Sequence, residues 1–348
     1  MKKKILIIGG AGFIGINAAR RFFAKGWDVT LLDNFSRKGT NHNVEVLLAE
    51  SPDIKVITVD IVTDLEALGE AVEGKDSVLH LAAQVAVTTS VVDPRNDFLQ
   101  NALGTFNVLE AIRLSESKPA IIYTSTNKVY GGLEEYAVQD TEKRCEFIDD
   151  EFRTYGVPES QSLDFHSPYG CSKGAADQYV RDYARIYGLK TVVLRQSCIY
   201  GEHQFGVEDQ GWVAWFSIAA LFDKDLTIYG SGKQIRDLLF VDDVTELYEI
   251  VFEKIDALSG NVYNVGGGPE NTLSLIELIE LMRKNIGYTK TPAHAGVRAG
   301  DQPAFVADIR SIERDTGWKP KISVSEGVDK LHAWIKGNES SVRSVLEN

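Results

Sequence analysis

The sequence predicts an α/β protein, in which a doubly wound parallel sheet is accompanied by a smaller α/β substrate-binding domain. Two observations favour this class. Short, wholly apolar segments alternate with helical patterns, as in parallel sheets that helices cover on both faces. A glycine-rich turn follows the first apolar segment and opens a helix, which is typical of the first strand of such a sheet. The length of 348 residues corresponds to about two domains of roughly 150 residues each.

Composition argues against several other classes. Hydrophobic residues make up 44% and charged residues 25%, which is ordinary for a globular protein. The net charge of −13 argues against a nucleic-acid-binding protein. No apolar run approaches the ~20 residues that span a bilayer, so no membrane association is expected. The 3 cysteines lack metal-binding or redox spacing, and no other metal-ligand spacing occurs, so we expect a cytoplasmic protein without a metal.

The first 33 residues predict a dinucleotide-binding unit. A strand over 5–8 leads into spaced glycines, a helix over 16–25 and a strand over 29–33 that ends at Asp33. The glycines permit a tight turn, close approach of backbone amides to a pyrophosphate, and close helix packing; they are Gly9, Gly12 and Gly15. The N-terminus of the helix also favours an anion. Asp33 can accept hydrogen bonds from ribose hydroxyls and would repel a 2′-phosphate, so NAD is favoured over NADP, a preference that Arg37 weakens.

Further strands are predicted over 55–60, 77–83 and 120–126. The strand over 77–83 ends in small residues, as expected where the chain passes close to a cofactor. His80 lies within it and is interpreted as a packed core residue. Asp60 and the Ile61 backbone could contact an adenine edge, although Asp60 could instead cap the helix predicted over 65–72.

A tyrosine and a lysine four residues apart predict the reaction chemistry. Tyr169 and Lys173 project from the same face of the helix that they open. A lysine ammonium and a positive nicotinamide ring both stabilise tyrosinate, which would lower the pKa of Tyr169 toward neutrality. Thr126, at the end of the strand over 120–126, could donate to the same substrate oxygen. These three catalytic residues predict oxidation of an alcohol by hydride transfer to NAD.

The whole set resembles the extended short-chain dehydrogenase/reductase family, the sugar-nucleotide epimerases and dehydratases, over residues 1–335. The segments that carry the resemblance are Gly9–Gly15, Asp33, Asp60-Ile61, His80–Ala83, Thr124–Thr126, Tyr169 with Lys173, Arg236-Asp237, Val241–Asp243 and Asn264–Gly266. The resemblance implies a Rossmann-type domain with tightly bound NAD that is regenerated in each turnover. It implies that the cofactor is bound by Gly9, Gly12, Phe13, Ile14, Gly15, Asp33, Asn34, Ser36, Arg37, Asp60, Ile61, Leu81, Ala82, Ala83, Asn101, Thr124, Tyr169 and Lys173.

Within the family, the segments 84–90, 124–131, 163–177 and 209–216 resemble enzymes that invert C2 of a CDP-linked hexose. The implied reaction passes through a 2-keto sugar, which turns over in the site before the hydride returns. The residues by themselves predict only NAD-dependent oxidation of a bound alcohol. The substrate-binding residues that the resemblance implies are Gln84, Thr126, Asn127, Lys128, Gln210, Arg236 and Arg298.

One position departs from the dehydratase members of the family. These carry Asp and Glu after the threonine, whereas this chain carries Asn127 and Lys128. Neither is a carboxylic acid, so elimination of water would lack its proton shuttles. Both are predicted to bind sugar hydroxyls, with capping of the strand end as the alternative. Arg236 and Arg298 are predicted to bind the substrate diphosphate, with surface ion pairing as the alternative.

The predicted domains are an NAD-binding domain over 1–195 and 234–258, a nucleotide-sugar-binding domain over 196–233 and 259–340, and a polar tail over 341–348. Helices predicted over 96–115 and 170–187 could pack in the core or form a homodimer interface as in relatives. Two other functions stay open: a 4-epimerase with the same catalytic residues, and a non-catalytic NAD-sensing protein. The intact catalytic set argues against the sensor, which needs no alcohol-oxidising residues.

Overall fold

The computed structural model of the protein describes residues 2–298 and 300–347. The chain divides into two compact units. The first comprises Met1–Thr126, Ser167–Arg195 and Thr245–Tyr263. The second comprises Asn127–His166, Gln196–Val244 and Asn264–Asn348.

Strands and helices alternate along most of the chain and are numbered in chain order. The strands are β1 (Lys4–Ile8), β2 (Asp28–Asp33), β3 (Lys55–Thr58), β4 (Ser77–His80), β5 (Ala120–Thr126), β6 (Val138–Asp140), β7 (Cys145–Phe147), β8 (Thr191–Gln196), β9 (Cys198–Tyr200), β10 (Thr227–Tyr229), β11 (Ile235–Phe240), β12 (Val262–Val265), β13 (Thr272–Ser274), β14 (Ala293–Ala295) and β15 (Ala304–Phe305). The helices are α1 (Phe13–Ala24), α2 (Thr40–Glu50), α3 (Leu65–Val72), α4 (Val87–Val92), α5 (Pro94–Phe98), α6 (Gly104–Leu114), α7 (Asp150–Tyr155), α8 (Ser167–Tyr187), α9 (Trp212–Leu221), α10 (Val241–Glu253), α11 (Ile255–Leu258), α12 (Leu275–Ile286), α13 (Arg310–Thr316), α14 (Val324–Gly337) and α15 (Glu339–Glu347). No helix in this described part of the chain is long and apolar enough to cross a bilayer.

The first unit is built on a seven-stranded sheet with the order β12-β8-β5-β4-β1-β2-β3. The pairs β1–β2, β2–β3, β1–β4 and β4–β5 are parallel. β1 lies in the interior of the sheet, and Ile5–Ile8 are fully buried. This burial on both faces explains why the segment is wholly apolar. The chain runs from β1 to β2 and β3 on one side and then crosses to β4 on the other. The carboxyl ends of β1 and β4 therefore border the switch point at which such sheets bind ligands.

The helix predicted over 96–115 is present as one continuous helical run over 94–114, but it is not α-helical throughout. A π-helical turn, Leu99–Leu103, separates α5 from α6. Such turns are rare and often lie at functional sites. The apolar stripe continues through the turn, so hydrophobic spacing alone does not reveal it.

The second unit is centred on β11. This strand pairs antiparallel with β13 and parallel with β9 and β15. Two smaller sheets, β10–β14 and β6–β7, also belong to this unit. Its apolar cluster contains Val129, Tyr130, Phe147, Phe152 and Phe305, all buried.

The observed division differs from the predicted domain boundaries. Segments 127–166 and 234–244 belong to the second unit, and 259–263 belongs to the first. The reason for 127–166 is packing, because its aromatic residues join the apolar cluster of the second unit. Residues 341–347 of the predicted polar tail are instead part of α15, in which Val342 is fully buried, and residue 348 lies outside the described residues.

Candidate active site

The turn between β1 and α1 is shaped for a phosphate group. Gly9 has a φ of +79°, and a Cβ atom there would lie 2.6 Å from the Ala82 nitrogen. A Cβ at Gly15 would lie 2.5 Å from the Gly9 carbonyl oxygen, so only glycine allows α1 to pack this closely. At Gly12 a Cβ would meet, among the described atoms within 4 Å, only the Gly9 oxygen at 3.3 Å. α1 begins at Phe13 and has no acidic residue in its first turn that would offset its positive end.

Asp33 ends β2 beside this turn. Its carboxylate accepts hydrogen bonds from the backbone N–H groups of Ala11 (3.1 Å) and Phe35 (2.9 Å). Burial raises the pKa of Asp33, while these two hydrogen bonds and the charge of Arg37 lower it. A carboxylate fixed in this way keeps further lone pairs for ribose hydroxyls.

Asn34, Ser36 and Asp60 form a hydrogen-bonded group at the ends of β2 and β3. Asn34 Nδ2 donates to Asp60 Oδ2 (2.8 Å), and the Ser36 N–H donates to Asn34 Oδ1 (3.1 Å). Asp60 also accepts from the Val62 N–H (2.8 Å). The N-cap of α3 is Asp64, so the alternative that Asp60 caps this helix is wrong.

The segment 81–83 continues from β4 to the switch point. Its first two N–H groups both donate to the Ile8 carbonyl, at 2.8 and 3.0 Å, and this draws the segment against the glycine turn. The Ile61 carbonyl is held nearby in the chain's first unit by Asn107 Nδ2, at 2.8 Å. The small side chains predicted at this point therefore lie at the edge where a cofactor is expected.

His80 is a packed core residue, as predicted. It is fully buried, and its Nε2 lies 3.0 Å from Thr105 Oγ1. Burial lowers the pKa of His80 to about 3, so the ring is neutral. Its backbone carbonyl accepts a hydrogen bond from Thr124 Oγ1 (3.0 Å) on the neighbouring strand.

The π turn directs Asn101 into a buried polar group. Asn101 Nδ2 donates to the Gln84 carbonyl (2.9 Å) and to Asp97 Oδ1 (3.0 Å). The Gln84 amide donates to the same Asp97 oxygen (2.8 Å) and to the Ala86 carbonyl (2.9 Å). Burial raises the pKa of Asp97, and hydrogen bonds from Ser172, Gln84 and Asn101 lower it. Sequence reasoning missed Asp97, because neither its spacing nor its neighbours mark it.

Tyr169 lies in the first turn of α8 and is 8% exposed. A side-chain hydrogen bond joins it to Thr126 at the end of β5. Burial raises the pKa of Tyr169 to about 12; the bond to Thr126 lowers it, Asp97 raises it and Arg37 lowers it. The sequence assigned the lowering to Lys173 and the nicotinamide ring and did not predict the contribution of Arg37.

Lys173 lies one helical turn after Tyr169 and is 3% exposed. Its Nζ donates to the Thr124 carbonyl (2.6 Å) and lies 4.3 Å from the centroid of the Tyr123 ring. Burial lowers the pKa of Lys173 to about 7, while Asp177 and Asp97 raise it. Its charge is therefore sensitive to pH close to neutrality.

A buried ion pair fixes α8 to the sheet. Arg195 on β8 donates from Nε and Nη2 to the two carboxylate oxygens of Asp177, at 2.9 and 3.0 Å. Ser125 Oγ on β5 donates to Asp177 Oδ2 (2.8 Å). The Asp177 side chain is fully buried and Arg195 is 3% exposed. This group connects the helix of Tyr169 to the strand of Thr126, and sequence reasoning missed it because its members are far apart in the chain.

In the second unit, Asn127 and Lys128 form hydrogen bonds with residues 300–302, which lie 172 to 175 residues later in the chain. Asn127 Nδ2 donates to Oε1 of the fully buried Gln302 (3.1 Å), and Lys128 Nζ donates to the Gly300 carbonyl (3.0 Å). Burial lowers the pKa of Lys128 to about 7, and the charge of Arg236 lowers it too. Lys128 can therefore exchange a proton near neutrality, which the sequence did not predict because burial is not visible in it.

Each of the two predicted diphosphate ligands contacts a carboxylate. Arg236 Nη2 lies 2.8 Å from Asp301 Oδ1, and Arg298 Nη2 lies 3.3 Å from Asp209 Oδ1. The Arg298 guanidinium also lies 3.8 Å from the centroid of the Tyr229 ring. The ion pairing that the sequence left as an alternative is therefore present at both arginines.

Gln210 closes a turn at the entrance to α9. It exchanges backbone hydrogen bonds with Val207, at 2.9 and 3.0 Å. Trp212 and Trp215 on α9 are both half-buried, as expected for residues that pack on this helix.

The first unit fits the dinucleotide that the sequence implies. The glycine turn at Gly9–Gly15, the positive end of α1 and the fixed Asp33 carboxylate suit a pyrophosphate and an adjacent ribose. The pair Tyr169 and Lys173 lies in the same unit. Within residues 2–298 and 300–347, no group of His, Cys, Asp or Glu side chains could hold a metal ion.

Comparison with known proteins agrees with this geometry. The sequence matches the NAD dependent epimerase/dehydratase family over residues 5–266. The CDP-paratose 2-epimerase of Salmonella typhi is 44% identical over 337 residues, which cover 95% of this chain and 98% of that protein. The structure of UDP-glucose 4-epimerase from Thermotoga maritima with UDP-glucose has a TM-score of 0.82 at 28% identity, covering 97% of this chain and 99% of that one. UDP-glucose 4-epimerase from Thermus thermophilus, solved with NAD, has a TM-score of 0.78 at 29% identity, covering 96% and 99%.

These matches confirm the resemblance, the doubly wound fold and NAD as the cofactor. They span α8 as well as the glycine turn between β1 and α1. The chain belongs to the NAD dependent epimerase/dehydratase family.

Proposed function

We propose that the protein epimerises C2 of a CDP-linked hexose of the paratose/tyvelose type. The observation that carries the proposal is the 44% identity to the CDP-paratose 2-epimerase over 95% of the chain. Thr126, Tyr169 and Lys173 support it, because their buried arrangement suits oxidation of an alcohol. Epimerisation at C4 is the second candidate, since the UDP-glucose 4-epimerase of Thermotoga maritima shares this fold at 28% identity.

Cofactor binding is assigned to the first unit. The glycine turn and the N-terminus of α1 would hold the pyrophosphate, and Asp33 would accept from the adenosine ribose. Asn34, Ser36, Asp60 and the backbone at Ile61 would border the adenine end. Leu81–Ala83, Asn101, Thr124 and Lys173 would border the nicotinamide end.

Tyr169 is the proposed general base. Its Oη would take the proton of the C2 hydroxyl, while Thr126 donates a hydrogen bond to the same sugar oxygen. When bound, NAD supplies a hydride acceptor for C2 and a positive ring that favours tyrosinate. Tyr169 would return the proton to that oxygen once the 2-keto sugar has turned over. One residue therefore serves both half-reactions, and Asn127 and Lys128 need not supply a second acid or base.

The second unit would hold the substrate while its sugar turns. Arg236 and Arg298 would exchange Asp301 and Asp209 for the diphosphate, to which a guanidinium can bind in a bidentate manner. Asn127, Lys128 and Gln210 are proposed to contact the sugar or the nucleotide. Gln84 of the first unit, whose amide holds Asp97, would contribute to substrate binding through this support.

Proton NMR of the purified enzyme with CDP-paratose or CDP-glucose, without added NAD, tests the proposal. We expect a new H1–H2 coupling as a C2 epimer accumulates to equilibrium. UDP-glucose serves as the matched substrate control. Inversion at C4 of the UDP-sugar, with no change in any CDP-sugar, would overturn the C2 assignment in favour of the second candidate.

We further propose a homodimer formed by α4–α6 and α8. Large apolar side chains are exposed on these helices, as expected if they pack against a second copy: Val92 (85%), Phe98 (55%), Leu114 (70%), Tyr179 (48%) and Ile186 (66%). Light scattering should give twice the 38.5 kDa chain mass. The double variant Phe98→Asp/Ile186→Asp should be a folded monomer. A wild-type protein that is monomeric at micromolar concentration would contradict this proposal.

A cytoplasmic location is also proposed. It is supported by the free thiols of Cys145, Cys171 and Cys198, of which Cys171 is exposed, because proteins of oxidising compartments more often pair their cysteines.

A further inference from the structure

The buried Lys173 ammonium lies on the face of an aromatic ring. Its Nζ is 4.3 Å from the centroid of Tyr123, and it donates to the carbonyl of Thr124, the next residue on β5. Tyr123 is fully buried. The face of an aromatic ring carries negative potential and attracts a cation, most strongly where water is excluded.

The carboxylates near Lys173, Asp97 and Asp177, form their hydrogen bonds with other residues. Asp177, one turn further along α8, is held by Arg195 and Ser125. Asp97 on α5 accepts from Gln84 and Asn101. None of the carboxylates in residues 2–298 and 300–347 forms an ion pair with Lys173. Its direct contacts are therefore a carbonyl and an aromatic face.

The remaining groups that face Lys173 do not replace this contact. His80 on β4 is neutral, because burial lowers its pKa to about 3, and its ring centroid lies 5.5 Å from that of Tyr123. Burial raises the pKa of Tyr169 on α8 to about 12, so its phenol is neutral until the positive ring of bound NAD favours tyrosinate. Asp97 and Asp177 act on Lys173 only through their field.

We propose that Tyr123 is a positioning residue, whose aromatic face holds Lys173 over the Thr124 carbonyl and keeps it cationic during catalysis. The inference rests on the proposed function in one respect: it assumes that Lys173 must be positively charged for catalysis. Burial lowers the pKa of Lys173 to about 7, so the charge of this lysine is easily lost. Removing the aromatic face destabilises the cation, lowers the pKa of Lys173 further and discharges it at a lower pH.

The test is a pH titration of Lys173 in the NAD-loaded enzyme, followed by 15Nζ NMR with lysine labelling. The signal is assigned by its loss in Lys173→Met. Tyr123→Phe keeps the aromatic face and should titrate like the wild type. Tyr123→Leu should titrate about one pH unit lower, or more, as expected for a desolvated cation–π contact. The alkaline limb of the pH profile of kcat/KM should move by the same amount.

Fluorinated phenylalanines at position 123 provide a second test in case the leucine variant does not fold. Successive fluorines keep the ring shape and weaken its negative face, so the pKa of Lys173 should fall stepwise with fluorine number. Equal titration in the phenylalanine, leucine and fluorinated variants would overturn the proposal. The NMR titration needs no substrate, so its outcome is independent of whether the C2 reaction is found.

Discussion

Replacing Tyr169 with phenylalanine is expected to lower kcat by about 10²–10⁴-fold while the enzyme keeps its NAD. The variant loses the only atom of this side chain that can move a proton, and it keeps the ring that packs in α8. Because Tyr169 is proposed to serve both half-reactions, neither oxidation of the sugar nor return of the hydride should proceed. Turnover is measured by NMR, and bound NAD by its release on denaturation.

Tyr187→Phe is the matched control for this variant. Tyr187 lies at the far end of the same helix and is 49% exposed, so loss of its hydroxyl should leave turnover unchanged. A Tyr169→Phe enzyme with turnover close to that of the wild type would remove Tyr169 from the mechanism. Loss of NAD from this variant would instead show a role in cofactor retention and contradict the prediction.

Replacing Arg195 with methionine should lower the free energy of unfolding by about 3–5 kcal/mol. The change leaves the fully buried Asp177 carboxylate with the neutral donors Ser125 and Gln178, and a buried carboxylate that has lost its cation is costly. Urea denaturation followed by circular dichroism measures the effect.

Two comparisons isolate the buried charge as the cause. The double variant Arg195→Met/Asp177→Leu removes both charges and should recover most of the lost stability. Arg20→Met breaks a partly exposed pair with Glu50 and should change the transition little. A double variant that is no more stable than Arg195→Met would mean that lost packing, and not the unpaired charge, explains the effect.

Local patterns predicted much of the first unit, because its features are encoded in adjacent residues. The apolar run Ile5–Ile8, the glycine turn and Asp33 each act within a few residues, and β5 has the bounds that the sequence predicted. Tyr169 and Lys173 are one helical turn apart, so their common face also follows from sequence.

The features that were missed depend on contacts distant in sequence or on burial. Gln302 meets Asn127 across 175 residues, and no local signal connects them. The π turn Leu99–Leu103 rotates the side chains that follow it around the helix axis, and its amino-acid composition is that of an ordinary helix. The near-neutral pKa of Lys128 arises from burial, which only tertiary structure sets.

Deuterium at C2 of the substrate tests the central claim, transient oxidation at that carbon, most directly. The enzyme is incubated in ordinary water with a CDP-hexose deuterated at C2, without added NAD, and both epimers are analysed by NMR. We expect the new epimer to retain its deuterium at C2, because the same hydride leaves and returns. Loss of the label to water would indicate proton abstraction at carbon, and it would contradict the oxidation mechanism.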